Sequence, residues 1–232
     1  MTLITFIKTK DSYLLAGDDL QTINGEMISN TQKVFQIGQI GGIAFMGGAT
    51  YLDPKHITTA GIIEEFAREN KKMSFDLNNI IPNLKSIFES RFVSLDLHLI
   101  LTSYKCHKTY LLKVSGNKAV NTSPVIKNQS NLIDDAWYYF NTLGNMLTPE
   151  NFNHRKLLEF YFKLVQEDEM IENFIDNNAI FLDTPTGVKI IKKFYYQVLN
   201  DENAHKGKIG NLFNILILKK DSTSMMGLKK KE

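Results

Sequence analysis

Apolar and polar positions alternate from the start of the chain. Residues 3–9 are rich in β-branched and aromatic types, and residues 13–17 repeat that character beyond the polar Lys10-Asp11-Ser12. Two such runs around a polar turn predict a β-hairpin. After a polar stretch over residues 21–32, apolar runs at 34–37 and 40–46 flank Gly38 and end at Gly47-Gly48, which predicts a second hairpin. Ile57, Ile62, Ile63 and Phe66 then recur at helical spacing within residues 50–70, and residues 77–92 repeat Leu, Ile and Phe at the same period. Two helices are expected there.

Residues 95–103 and 109–115 are alternating or continuous apolar runs on either side of the polar segment 105–108, a third hairpin. From 132 to about 198 the pattern turns helical, in pieces around 133–147, 152–165 and 188–199. Thr184-Pro185-Thr186-Gly187 opens the last piece, with Thr184 or Thr186 as its cap. Residues 210–219 form a strongly apolar closing strand. Strand pairs, two helices, more strands, helices and a last strand describe an α+β fold rather than alternating β/α units. Two stacked sheets flanked by helices satisfy that order. A single domain over 1–220 is expected, with 221–232 as a flexible basic tail ending in Lys229-Lys230-Lys231.

Composition narrows the partners. With 27 Lys plus Arg against 25 Asp plus Glu the net charge is +2, which provides no field for recruiting nucleic acid or an anionic membrane. Cys106 stands alone, so no internal disulfide forms, and it reads as a plain buried or half-buried thiol rather than as a reactive partner of His107. There is no basic leader with a long apolar core and no window near the roughly 18 apolar residues a bilayer span needs, so a cytoplasmic protein is expected. His56, His98, His107, His154 and His205 lack metal-ligand spacing, and neither metal nor cofactor is expected. Tyr138-Tyr139-Phe140 and Phe194-Tyr195-Tyr196 read as packing clusters at helical positions rather than as platforms for bases.

Three features carry chemistry when taken together: Thr2 directly after Met1, Asp18-Asp19 at the end of the second strand, and Lys33 just before the third. A threonine hydroxyl needs a base to take its proton, and a free α-amine serves when threonine is itself the first residue. That amine has a reference pKa near 8, and a nearby cation such as Lys33 would enlarge its neutral fraction. A buried ammonium needs a carboxylate to hold it, and Asp18 stands at a suitable strand end. Gly47-Gly48 offers backbone N–H groups that could approach a developing oxyanion without side-chain obstruction.

At these residues the chain resembles the β-type subunits of the proteasome, and more closely the peptidase subunit of the bacterial proteasome-like ATP-dependent protease. The resemblance covers roughly the first fifty residues: TLITFIKTKDSYLLAGDDLQT is similar to the family's opening hairpin, NTQKVFQI to its lysine-bearing segment, and GIAFMGGAT to its glycine-containing strand end. It implies a four-layer αββα sandwich of the N-terminal-nucleophile hydrolases. Carried over by position, Thr2 matches the nucleophile, Asp18 the buried carboxylate, Lys33 the catalytic lysine and Gly47 the oxyanion-hole amide. Thr22 matches the residue whose backbone pairs with an extended substrate, and Phe45 falls near the floor of the first specificity pocket.

The expectation is a threonine peptidase acting on peptides or polypeptides after Met1 is removed, without cofactor. The resemblance further implies a homo-oligomer and a possible ATPase partner. Where the family carries a Gly-Ser-Gly loop and an Asp-x-x-Ser-Gly motif, this chain reads SPVIKNQSN, with Ser123 and Ser130, and ENAHKGKIG, with Asn203 and His205. Those departures favour the alternative of a non-catalytic scaffold or ring subunit. A peptide ligase or small-amide hydrolase with the same nucleophile is a further alternative.

Overall fold

Lys10-Asp11-Ser12 does turn the chain: β1 (Leu3–Lys8) and β2 (Tyr13–Asp18) pair antiparallel, with Ile4 opposite Gly17 and Lys8 opposite Tyr13. Thr9 closes the turn through both its N–H and its hydroxyl, which donate to the Ser12 carbonyl at 2.8 and 2.9 Å. The structure is a computed structural model and describes residues 3–23, 26–28, 31–53, 57–120, 122–128, 138–142, 183–200 and 210–229.

Two five-stranded antiparallel sheets organise these residues, and the fold is α+β. In the first sheet β1 and β2 lie at the centre. β1 is flanked by β10 (Tyr138–Thr142); β2 is flanked by β11 (Leu212–Leu218), which pairs onward with β12 (Thr223–Lys229). The second sheet runs in chain order through β5 (Val34–Ile37), β6 (Gly41–Tyr51), β7 (Phe92–Ser103), β8 (Lys108–Asn117) and β9 (Thr122–Asn128). A separate two-stranded hairpin, β3 (Gln21–Ile23) with β4 (Glu26–Ile28), rises from the polar stretch after β2.

The period of two along each strand decides what is buried where. Ile4, Phe6 and Leu15 of the first sheet meet Ala44, Met46, Ile100 and Leu111 of the second in one dry cluster, so the sheets stack face to face. The alternate residues Phe35, Ile43, Phe45, Leu97 and Leu99 point to the other side of the second sheet. There they pack on Ile62, Ile63 and Phe66 of α1 (Thr59–Glu69) and Ile80, Leu84 and Phe88 of α2 (Leu77–Glu89). Each fully buried side chain of this size contributes about 1.5–3 kcal/mol through apolar burial. Thr58 and Asp76 cap the two helices, accepting the N–H groups of Gly61 and Asn78 at 3.0 and 3.2 Å.

α3 (Thr184–Asn200) lies against β1 and β2 with Ile190, Ile191 and Tyr195 fully buried. Its N-terminus departs from expectation, because Asp183 is the capping residue, accepting the Thr186 N–H at 2.9 Å. The Thr184 N–H and hydroxyl instead donate to Asp11 and Ser12 at 3.0 and 2.8 Å, which docks the helix on the β1–β2 turn.

Other expectations are corrected. β6 does not end at Gly47-Gly48, and Thr50 and Tyr51 are not helical: Gly48 pairs with Asp96 and Tyr51 with Phe92, so the ladder to β7 holds them extended. Residues 138–142, expected within a helix, are strand β10, since Tyr138-Tyr139-Phe140 suits an extended pairing with β1 as well as a helical face. The expected helix at 152–165 lies outside the described residues. Residues 223–229, assigned to a solvated tail, pair along their length with β11 and bury Leu228. Cys106 sits exposed in the turn between β7 and β8, not buried on a strand. Among the described residues no helix is long and apolar enough to cross a membrane.

Candidate active site

Asp18 is the last residue of β2, where the ladder stops and neighbouring backbone N–H groups need another acceptor. Its carboxylate supplies one. Oδ1 accepts the Leu3 N–H and the Lys33 ammonium, each at 2.8 Å, and Oδ2 accepts the N–H groups of Leu20 at 3.2 Å and Gly210 at 3.1 Å. The two residues are 0% and 1% exposed, so this is a fully desolvated ion pair. Four donors on two carboxylate oxygens compensate a burial that an isolated pair would leave unfavourable.

Lys33 arrives from the segment that leads into β5, and its carbonyl accepts the Phe45 N–H at 3.3 Å, which ties it to β6. Burial pushes the Lys33 ammonium below the usual lysine range, opposed by the charge and hydrogen bond of Asp18 and by the charge of Asp19. The site therefore concentrates a cation in a low-dielectric region where its field is strong.

Gly47 adopts φ +110°, a conformation that side chains disfavour. A Cβ at this position would collide with the Asp96 carbonyl oxygen and approach Leu97 Cα to 3.0 Å. Glycine is demanded twice over. The Phe45 N–H points toward β5, and along a strand the N–H two residues on points to the same side. β5 begins at Val34, opposite Ala44, and Gly47 stands three residues further along β6.

The structure thus joins Asp18 to Lys33 directly, and Lys33 through its carbonyl to Phe45, two residues before Gly47 on β6. Phe45, expected at the floor of a specificity pocket, is 3% exposed within the cluster facing α1 and α2. Thr22 lies on β3 opposite Met27, and among the described strands β3 pairs only with β4. Thr2 lies outside the described residues, as do Ser130, Asn203 and His205. Ser123, in the segment that stands where the family carries its Gly-Ser-Gly loop, is an exposed residue of β9.

Three residues of the site were not singled out in the sequence. Asp19, named only as the neighbour of Asp18 and given no role of its own, is 2% exposed; its Oδ1 accepts the Leu212 N–H at 3.1 Å and its carbonyl the Thr31 N–H at 2.8 Å. Gly210 brings its N–H to Asp18 so closely past Asp19 that no side chain could be accommodated. Tyr195 donates its hydroxyl to the Gly210 carbonyl at 3.1 Å and stacks on Phe213 with ring centroids 4.7 Å apart. Burial, then the charges of Asp19 and Asp18, raise its phenol well above the ordinary tyrosine value, so it stays a donor. Tyr195→Phe keeps the stack and removes one bond; a loss of about 1 kcal/mol in urea unfolding is expected.

No protein family and no curated protein matches the chain. A buried ammonium held by a carboxylate that accepts four donors is an arrangement able to stabilise negative charge on a nearby oxygen.

Proposed function

We propose that the chain is a threonine peptidase of the N-terminal-nucleophile type, built on the four-layer αββα sandwich of that group. One observation carries the reading: the Leu3 N–H and the Lys33 ammonium share the same oxygen of Asp18. The amide nitrogen of Leu3 is covalently bonded to the Thr2 carbonyl carbon, and the proposal has the Thr2 amine work under the influence of that cation. Once Met1 is removed, that cation lowers the α-amine pKa and enlarges its neutral, proton-accepting fraction at neutral pH.

In the proposed reaction the Thr2 hydroxyl oxygen attacks the scissile carbonyl carbon while its proton passes to the Thr2 amine. The oxyanion is met by the Gly47 N–H. The amine returns the proton to the leaving nitrogen as the C–N bond breaks, and water then hydrolyses the ester on Thr2. In this reading an extended peptide adds as a strand beside β3, where Thr22 lies.

Purified protein is expected to have lost Met1 by intact mass and to hydrolyse unstructured peptides. Thr2→Ala removes that turnover and Thr2→Ser retains part of it. Undiminished turnover in Thr2→Ala, or retention of Met1 on every active molecule, overturns the proposal.

A further inference from the structure

Beyond Gly47 the second sheet carries a groove of 760 Å³. Gly48 and Thr50 on β6, Ser94 and Asp96 on β7, and Ser115 and Asn117 on β8 line it together with the apolar Ala49, Leu95 and Val125. Gly48, Asp96 and Ser115 stand directly opposite one another across three strands, so they share one face of the sheet. A Cβ built on Gly48 meets nothing within 4 Å, which leaves the space above it open toward Asp96.

Asp96 is exposed in the middle of β7 and is the only charged residue among those lining the groove. Among the described residues it makes no ion pair. Lys113, the nearest basic residue in the ladder, sits one row further in, opposite His98. The surrounding hydroxyls and amide can orient donors, and the carboxylate supplies the charge. A groove of this kind, next to the glycine proposed to meet the oxyanion, is complementary to a cationic side chain.

We propose that this groove is a subsite for a lysine or arginine side chain of an extended peptide, with Asp96 as the residue that sets the preference. The inference rests on the peptidase reading and names the substrate class of that site. The peptide backbone runs along β6 over Gly48, which has no side chain to obstruct it, and the cation lies against Asp96 with Ser94 and Ser115 completing its hydrogen bonds.

Fluorescence anisotropy on the full-length Thr2→Ala variant separates binding from turnover. The probes are three extended, end-blocked peptides identical except for one lysine, norleucine or glutamate. The lysine peptide is expected to bind roughly fivefold more tightly than the norleucine peptide at low ionic strength, the upper range for a solvent-accessible ion pair, with the preference shrinking at high salt. Adding Asp96→Asn removes the preference without altering norleucine binding, and Asp96→Lys turns it toward glutamate; circular dichroism checks that both variants fold. Equal binding of the three peptides, or a lysine preference that survives Asp96→Asn, overturns the proposal. Turnover of the same peptides by the wild-type protein keeps the two inferences apart: Asp96-dependent binding without cleavage sinks the peptidase reading alone, and cleavage blind to Asp96 sinks the subsite alone.

Discussion

Lys33→Ala is expected to reduce kcat for peptide cleavage by about 10²–10³-fold, the scale on which preorganised charge acts in a dry site. It is also expected to lower stability by about 3–5 kcal/mol, because it leaves the buried Asp18 carboxylate without its cation. Urea unfolding and peptide turnover read the two losses separately. The pair Lys33→Met with Asp18→Asn removes both charges and keeps an amide to accept some of the N–H groups that Asp18 receives. Much of the stability should return in that double variant, while activity should not. The residual activity of Lys33→Ala carries a further signature. A cation beside the α-amine lowers its pKa, so its loss moves the acidic limb of the rate profile to higher pH, toward the reference value near 8. An unshifted limb would show that Lys33 does not act on the amine.

Gly47→Ala is the second large effect. A side chain at φ +110° costs about 1–3 kcal/mol in backbone strain. The collision with the Asp96 carbonyl adds to this by prising β6 from β7. Turnover is expected to fall by about 10²–10³-fold as the amide proposed to meet the oxyanion is displaced. Gly48→Ala is the matched control, since its φ is not in the left-handed region and a Cβ there meets nothing within 4 Å. Its stability should remain within about 0.5 kcal/mol of the parent. Thermal unfolding of the two variants side by side tests the contrast, and equal losses would contradict the backbone account.

Much of the frame was legible because its signals are local. The β1–β2 hairpin is written in alternating apolar residues around Lys10-Asp11-Ser12, and the caps Thr58 and Asp76 precede helices of clear period. Asp183 was legible too, since aspartate caps a helix at least as well as the threonines chosen in its place. The strand at Tyr138–Thr142 was not, because a run of aromatics fits a helical stripe or a pleated sheet and only the pairing with β1 decides. The site divides along the same line. Asp18 and Lys33 were found as residue types at strand ends, but a lysine beside a strand ordinarily faces water, and its burial is fixed by packing between sheets. The contribution of Gly210 comes from a residue 192 positions away from Asp18 in the chain, and no local pattern announces it.

Asp18 and Lys33 are proposed to serve a nucleophile at Thr2. The most direct test is a tandem mass spectrum of the N-terminal peptide after treatment with a β-lactone. The wild-type protein is expected to begin at Thr2 and to carry the acyl group there. Lys33→Ala, folded and likewise free of Met1, is expected to acquire it far more slowly. A folded wild-type protein that keeps Met1, or that is acylated elsewhere while Thr2 stays bare, would contradict the account.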